Sequence, residues 1–380
     1  MRSTTKLPPS RRDVLVGGGL LAGSLAFAQA PSAGYAREAE SLRNFDRQKL
    51  SKFRSALAMT RAGKADTRIL YEGDSITRGM GTVRQWGGEA YAKAVPQRVA
   101  DLMTGPELSW SRETMMALGG LAGGDGRLAT IGATVAANAI RLEPGNVAVH
   151  STTAACTRFE VLYHASGASS FSYAVDGGAE TIVPFSTAGF HRLNLAGLAP
   201  APHVFRFTGQ SGAIRLLVQY GHSAAAAEVA IFNHGISGAT AAQAADTRSP
   251  YSVANTIPQI RPHLSIINFG LNDWQQNIAP AQFKASLRAL IDQCTPTGDV
   301  LLETSNPAGP RGPYAYLLDA YWQAMRELSD EAGCPLIDTA AVWGDYDRAK
   351  ARNLMADTLH PNAAGYDEKA KRHAALLRQL

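Results

Sequence analysis

The sequence has few charged residues, only three cysteines and no long apolar segment beyond its N-terminus. Charged residues make up 18% of the 380 residues and hydrophobic residues 45%, and the 36 glycines and 19 prolines follow no repeat. This composition excludes wholesale disorder and a collagen-like chain, and it can supply a sizeable core. No apolar run of about 18 residues follows the first 30, so we predict no internal membrane span. The length predicts one large or two medium domains.

Long basic runs are also missing. The formal charge is +5, but Arg2, Lys6, Arg11 and Arg12, less Asp13, place +3 of it within the first 36 residues. The rest of the chain therefore carries only about +2, without alternation of basic and aromatic residues. This pattern argues against a nucleic-acid partner.

The N-terminus carries the features of an export signal. Ser-Arg-Arg-Asp-Val-Leu at 10–15 leads into a weakly apolar, Gly-rich stretch over 14–28, and small residues offer cleavage after Ala30 or Ala36. We interpret residues 1–36 as a signal peptide that resembles the twin-arginine type, with the twin-arginine export machinery as its partner. A disordered basic terminus is the alternative. Export predicts a periplasmic or secreted protein.

The sequence lacks the spacings of metal-binding and disulfide-framework proteins. It has no CxxC and no HExxH, and its nine histidines are not clustered, so we expect no metal or other cofactor. Cys294 and Cys334 each precede a predicted strand, and those strands should be neighbours. A disulfide between them and a pair of buried thiols both remain open.

Apolar strands alternate with amphipathic helices in two parts of the chain, residues 37–104 and 226–380. This rhythm is typical of βαβ units, in which helices cover both faces of a parallel sheet. We predict strands at 67–71, 229–232, 264–269, 300–304 and 335–338, and helices at 37–66, 88–103, 280–294, 316–331 and 362–380.

Residues 105–225 break this rhythm. Short strand-like segments lie at 146–150, 159–163, 170–175, 203–207 and 214–218, separated by Gly-rich turns such as Asp-Gly-Gly at 176–178. Such spacing predicts an all-β sandwich or jelly roll inserted into the α/β domain.

Three polar motifs follow strands of the α/β part, where open parallel sheets bind ligands. Ser75 lies in Gly-Asp-Ser-Ile-Thr (73–77), Asn272 in Gly-Leu-Asn-Asp (270–273), and Asp357 and His360 in Asp-Thr-Leu-His-Pro (357–361). Each motif alone could be a helix cap, a turn or a surface residue. A carboxylate three residues before a histidine can bond one ring nitrogen and leave the other free as a base.

Together with Asn-His-Gly-Ile-Ser-Gly (233–238), these motifs form an ordered set that resembles the SGNH, or GDSL-type, hydrolase family. The absence of GxSxG argues against the α/β-hydrolase alternative. The resemblance implies a flavodoxin-like, three-layer α/β/α fold, here with an inserted jelly-roll-like domain. It also implies a catalytic triad of Ser75 as nucleophile, His360 as general base and Asp357 as its orienting carboxylate.

The resemblance further implies an oxyanion hole made by the backbone N–H groups of Ser75 and Gly238 and the side-chain amide of Asn272. Gly235 competes with Gly238 for its place. The Ile-Ser-Gly triplet that ends at Gly238 fits the family pattern better.

We therefore expect an exported serine esterase that removes O-acetyl or other short acyl groups from a carbohydrate, with acylated carbohydrate or a small ester as substrate. The alternatives are an O-acetyltransferase, a lipid or arylester hydrolase, and a catalytically idle carbohydrate-binding protein. The complete set of site residues argues against the last. The β insert either walls the substrate groove, with Tyr163, Phe171 and Tyr173 as candidate sugar-stacking or core residues, or acts as a spacer.

Overall fold

The computed structural model describes residues 41–82, 92–105, 108–111, 113–116, 127–136, 139–185, 187–223, 227–310, 312 and 314–380. The predicted signal peptide, residues 1–36, lies outside these residues. Within them, no helix has the length and apolarity that crossing a membrane requires.

The α-helices and strands of this part are numbered along the chain. The helices are α1 (Ser51–Arg61), α2 (Ser75–Arg78), α3 (Val95–Met103), α4 (Ala241–Ala245), α5 (Val253–Ile260), α6 (Leu271–Gln275), α7 (Pro280–Cys294), α8 (Leu318–Ala332), α9 (Thr339–Trp343), α10 (Tyr346–Ala351) and α11 (Ala363–Leu377), and a 3₁₀ helix spans Arg47–Leu50. The strands are β1 (Leu42–Arg43), β2 (Thr67–Gly73), β3 (Trp110–Ser111), β4 (Thr114–Met116), β5 (Leu128–Ile131), β6 (Thr134–Ala136), β7 (Ala139–Leu142), β8 (Val147–Ser151), β9 (Cys156–Ala165), β10 (Ser169–Val175), β11 (Thr181–Phe185), β12 (Gly189–Ala201), β13 (Val204–Ser211), β14 (Ile214–Ser223), β15 (Val229–Gly235), β16 (Leu264–Asn268), β17 (Asp299–Glu303) and β18 (Leu336–Ile337).

A seven-stranded sheet forms the centre of the α/β part, in the order β1-β18-β17-β16-β2-β15-β3. All neighbours in it are parallel except β1, which pairs antiparallel with β18. The five predicted strands are all present, and β15-β2-β16-β17-β18 has the strand order of the flavodoxin type. The order reverses at β2, so the crevices on either side of its carboxyl end are the expected ligand site.

Apolar side chains cover both faces of this sheet. One cluster packs Phe232 and Leu302 against α7 and α8, and the other packs Ile69 and Ile231 against α1, α3 and α11. These two cores make the three layers.

Several predicted helices are shorter in the structure. The prediction of one helix over 37–66 is wrong in its described part, because β1, the 3₁₀ helix and α1 share that stretch. Asp46 caps the 3₁₀ helix by accepting the Gln48 N–H. The prediction of one continuous helix over 88–103 is wrong at 93 and 94, which are not helical, and residues 88–91 lie outside the described part. Helix α3 begins at Val95, with Pro96 in its first turn, where proline is tolerated.

Two antiparallel sheets occupy the β-rich stretch. Their strand orders are β11-β10-β13-β8-β5 and β12-β9-β14-β7-β6, and they share a core in which the rings of Phe159 and Phe205 stack with centroids 3.7 Å apart. The predicted hairpin joins β10 to β11 through Asp176 and Gly177, both with positive φ. Tyr163 and Phe171 are buried in this core and Tyr173 packs against it, so these rings are core residues and not sugar-stacking faces.

The outer face of one β sheet packs on the α/β part. Leu162, Val218 and Tyr220 join the cluster that contains Phe232, and the rings of Tyr220 and Phe232 lie 5.6 Å apart. The two antiparallel sheets and their shared core, called the sandwich from here on, therefore pack on the β15 side of the central sheet through apolar contact.

The cysteines are all free and buried. Cys294 and Cys334 do precede the neighbouring strands β17 and β18, but the disulfide alternative is wrong. Burial raises the pKa of the Cys294 thiol to about 12 and that of Cys334 to about 11, which keeps both protonated and unreactive.

Candidate active site

Ser75 lies at the turn from β2 into α2. Asp74 caps this four-residue helix, since its carboxylate accepts the Ile76 N–H at 2.8 Å. The cap and the end of the strand hold Ser75 in place, with only 6% of its surface exposed. The serine is thus fixed at the point where the strand order reverses.

Two glycines allow α2 to lie directly on the sheet. A Cβ on Gly73 would lie 2.0 Å from the Thr77 hydroxyl oxygen, and one on Gly235 would lie 2.2 Å from the Arg78 backbone nitrogen. No larger residue fits at Gly235 without moving backbone. Gly73 and Gly235 therefore determine how closely α2, the helix that carries Ser75, can approach the sheet.

Asp357 organises the loop that carries His360. Its Oδ1 accepts the backbone N–H groups of Leu359 and His360 at 2.6 and 2.7 Å, and its Oδ2 lies 2.9 Å from His360 Nδ1. Burial opposes ionisation of this carboxyl, but the hydrogen bonds from His360 and Leu359 hold its pKa well below the usual range. A carboxylate at this position keeps the proton of the ring on Nδ1.

The structure brings His360 to Ser75 across the fold. His360 Nε2 lies 3.1 Å from Ser75 Oγ, within hydrogen-bond distance, and the two residues are 285 positions apart in sequence. With Nδ1 bonded to Asp357, Nε2 is free to accept the serine proton. The three side chains predicted as a triad therefore form one hydrogen-bonded chain.

Two backbone N–H groups beside Ser75 are available for an anion. Those of Ser75 and Gly238 donate to no described residue. The N–H of Gly235, in contrast, donates to Asn233 Oδ1 at 3.0 Å. This difference favours Gly238 over Gly235 as an oxyanion donor.

Asn272 follows β16 and begins α6, on the other side of β2 from Gly238. Its side-chain nitrogen donates to the Ala239 carbonyl at 2.9 Å and makes only a long contact, 3.4 Å, with Asp74 Oδ2. The first bond fixes the amide against the Gly238 loop. The second N–H is weakly bonded and can turn to a stronger acceptor.

Two buried carboxyls flank this amide, and sequence reasoning gave neither a role. Burial raises the pKa of Asp74 to about 6 and that of Asp273 to about 7, and their mutual repulsion adds to the shift of Asp273. Asp273 accepts the Ala241 N–H at 3.0 Å and so anchors the start of α4. Asp74 and Asp273 both lie inside recognised motifs, and that position was the sequence signal that could have identified them.

The histidine loop has a further support that local sequence could not reveal. Asn306 Nδ2 donates to the Leu359 carbonyl at 3.0 Å, and the Gly309 N–H donates to the Thr358 carbonyl at 2.7 Å. The segment after β17 therefore braces the Asp357–His360 loop from behind. Within the described residues, no group of three or more His, Cys, Asp or Glu side chains could hold a metal ion.

The comparisons with known proteins agree with this geometry. Residues 208–368 match the model of the GDSL-like Lipase/Acylhydrolase family. The match contains Gly238, Asn272, Asp357 and His360 and leaves Ser75 outside, but the fold joins the Ser75 turn to that region. The chain therefore carries a GDSL-like lipase/acylhydrolase domain of the SGNH class, and it is a carboxylic ester hydrolase.

One solved structure shares this fold over most of the chain. A structure named "Peptidoglycan O-acetylesterase in action, 5 min" aligns with a TM-score of 0.67 at 15% identity, covering 89% of this chain and 98% of that one. A family two carbohydrate esterase from Clostridium thermocellum in complex with cellohexaose aligns at 14% identity over 63% of this chain and 94% of its own, with a TM-score of 0.32. A search of curated proteins finds no match. The first alignment supports the SGNH hydrolase fold.

Proposed function

We propose that this protein is an exported serine esterase that removes O-acetyl groups from a carbohydrate through an acyl-enzyme on Ser75. The observation that carries the chemistry is the hydrogen-bonded chain from Asp357 Oδ2 through His360 to Ser75 Oγ, with links of 2.9 and 3.1 Å. Such an arrangement activates an otherwise weak hydroxyl nucleophile.

In the first step, Ser75 Oγ attacks the ester carbonyl carbon while His360 Nε2 takes the hydroxyl proton. The oxygen of the tetrahedral intermediate becomes an anion beside the N–H groups of Ser75 and Gly238. The weakly bonded N–H of Asn272 exchanges its long contact with Asp74 for the stronger anionic acceptor. A donor in such a place contributes about 2.7–4 kcal/mol to the lowering of the barrier.

In the second step, the intermediate collapses and the C–O bond to the sugar breaks. The imidazolium of His360 gives its proton to the leaving sugar oxygen, so a free hydroxyl departs and the acyl group stays on Ser75. Water then repeats the sequence, with His360 again as base, and acetate leaves. Asp357 stabilises the imidazolium in both halves.

A carbohydrate substrate is supported by the fold shared over most of the chain with the protein named as a peptidoglycan O-acetylesterase. Export is supported by the Arg11-Arg12 segment at the N-terminus. We also assign the two antiparallel sheets to an inserted jelly-roll-like domain. The orders β7-β14-β9-β12 and β8-β13-β10-β11 within them support this assignment.

A release assay tests the proposal. Acetate is measured from acetylated xylo-oligosaccharides, from acetylated peptidoglycan and from p-nitrophenyl acetate, with and without an unacetylated acceptor sugar. We expect release from at least one glycan, unchanged by acceptor. Acyl transfer to the acceptor would show a transferase instead. Turnover of the aryl ester alone would exclude a carbohydrate substrate.

A further inference from the structure

A second concave site lies next to the catalytic loop. A cavity of about 520 Å³ opens between the segment after β17, the first turns of α8 and the junction of α9 with α10. Pro307 and Ala308 form one wall and Tyr346 lies at the other. Cavities of a few hundred Å³ or more are of the size that binds small ligands.

One chain segment adjoins both this cavity and the loop that carries His360. Gly309, next to the lining residue Ala308, donates to the Thr358 carbonyl at 2.7 Å, and Thr358 lies between Asp357 and His360 in the chain. A Cβ on Gly309 would lie 3.1 Å from the Tyr346 ring. The cavity and the loop that carries His360 therefore both adjoin the segment after β17.

The lining suits a hydroxyl-rich ligand. Tyr346 contributes aromatic surface, and Trp322, which is only 9% exposed, adds a small part of its ring. Asp319 and Gln323, one helical turn apart on α8, contribute hydrogen-bonding groups. Asp319 makes no hydrogen bond with a described residue, and Gln323 uses only its nitrogen, as a donor to Glu327. Aromatic faces combined with free acceptors and amides are what sugar rings require, because each ring has apolar faces and polar edges.

The charges favour an uncharged sugar. The guanidinium of Arg326 is already held by Asp338, with its Nε and one terminal nitrogen 2.8 and 3.1 Å from the two carboxylate oxygens. Asp319 and Asp345 add two carboxylates to the lining, and they outnumber the one neighbouring ammonium, that of Lys350, whose Nζ lies 5.7 Å from the centre of the Tyr346 ring. An anionic ligand such as a uronate chain would meet net repulsion there.

We infer that this cavity is a glycan subsite that holds a neutral sugar unit of the chain whose acetyl group is being removed. The inference rests on the proposed carbohydrate function and specifies where the polymer continues beyond Ser75. The cavity lies at the β17–β18 end of the central sheet, whereas the β sandwich docks at the β15 end. The polymer therefore runs away from the sandwich.

Binding of an unacetylated sugar tests the subsite independently of catalysis. Calorimetric titration with xylohexaose, a neutral hexasaccharide, should give binding to the wild type that weakens about ten-fold in the double variant Asp319→Ala/Gln323→Ala, because two hydrogen-bonding side chains are lost. Both positions are exposed, so the variant should fold. The matched control, Asp292→Ala/Gln282→Ala, removes the same residue types from exposed positions on α7 and should bind as the wild type does. An oligogalacturonate of equal length should not bind.

Kinetics then separates this inference from the proposed function. With acetylated xylo-oligosaccharides of six units, the double variant should raise KM about ten-fold at constant kcat, whereas the kinetics on p-nitrophenyl acetate should stay unchanged. If the wild type releases no acetate from any glycan, the proposed function fails and the titration still decides the subsite. No heat from xylohexaose in the wild type, or equal affinity in the double variant, overturns the subsite.

Discussion

A single proton path through His360 links the reactive residues of the site. Ser75→Ala removes the proposed nucleophile and His360→Ala removes the proposed base, so each should lower kcat on p-nitrophenyl acetate at least about 10³-fold. The double variant should be scarcely worse than either single one, because the two residues act as a unit. Ser55→Ala, at an exposed position on α1, is the control. Near-normal turnover by a folded Ser75→Ala protein would exclude the acyl-enzyme.

Asp357 contributes to this path because its Oδ2 accepts the hydrogen bond from Nδ1 of His360. In Asp357→Asn, the amide can keep one oxygen for the Leu359 and His360 N–H groups, but it presents an NH₂ group to the ring. The ring then favours the tautomer with its proton on Nε2, and kcat should fall by up to about 10⁴-fold. The loop should remain in place, so the thermal unfolding midpoint should change little. A variant with wild-type kcat would show that Asp357 does not set the tautomer.

Asp273 should make stability depend on pH. Its folded-state pKa of about 7 lies above the ordinary value of 3.8. Its contribution to stability is therefore complete below about pH 4 and is lost as pH rises through about 7. Asp273→Asn cannot ionise, and its Oδ1 can still accept the Ala241 N–H.

The free energy of unfolding of Asp273→Asn, relative to the wild type, should consequently rise by up to about 4 kcal/mol between about pH 4 and pH 8. Urea unfolding at several pH values measures it. Asp292→Asn, which changes an exposed carboxylate on α7, should show no such trend. A pH-independent difference for the Asp273 variant would mean that the carboxyl is ionised throughout.

At the scale of secondary structure, the close seat of α2 on the sheet is the sensitive feature. Gly235→Ala would place a methyl group 2.2 Å from the Arg78 nitrogen, and backbone has to move to relieve it. We expect a loss of about 1–3 kcal/mol in unfolding free energy and a reduced kcat, since Ser75 lies on the displaced helix. Gly105→Ala, where an added Cβ meets nothing within 4 Å, is the control. An unchanged kcat in Gly235→Ala would show that catalysis does not depend on the position of α2.

The elements that the sequence predicted are those with strong local signals. The buried runs at β2, β15, β16 and β17 are continuous enough to be recognised as interior parallel strands. The two-residue strand β1 is not, because its existence depends on pairing with β18 from the far end of the chain. The same reason hides the Asn306 brace, whose partner Leu359 is 53 positions away.

The residues of the candidate site could be predicted for a different reason. Ser75, Asn272, Asp357 and His360 lie in short motifs whose order matches a known family, so the prediction did not depend on knowing distances. Between Gly235 and Gly238, the Ile-Ser-Gly triplet already favoured Gly238, and the hydrogen bond that Gly235 donates to Asn233 supports the same choice.

At the scale of the whole molecule, an apolar contact joins the sandwich to the α/β part. A half-buried strand would alternate between buried and exposed residues, yet five consecutive residues at the end of β9 are buried. One face of that strand lies in the sandwich core and the other contacts the α/β part, as Leu162 shows. Sequence periodicity cannot indicate which surface covers a second apolar face.

Removing the sandwich should therefore harm more than polymer preference. A chain in which a short linker replaces residues 105–225 would expose Phe232 and its neighbours, and we expect it to aggregate or to lose near-ultraviolet circular dichroism. The intact protein should melt in one transition by both near- and far-ultraviolet signals. A soluble, folded, active deletion variant would contradict this and make the sandwich a dispensable attachment.

Because Ser75 and His360 are far apart along the chain, the onset of ester hydrolysis also reports on the progress of folding. Ser75 Oγ and His360 Nε2 lie within hydrogen-bond distance when the segment carrying α11 is packed on α3, where Asp367 pairs with Arg98. During synthesis, a nascent chain therefore cannot cleave an ester until His360 has left the ribosome and can reach Ser75. In refolding, the lag before ester cleavage begins measures the slowest long-range closure in the molecule, without any added label.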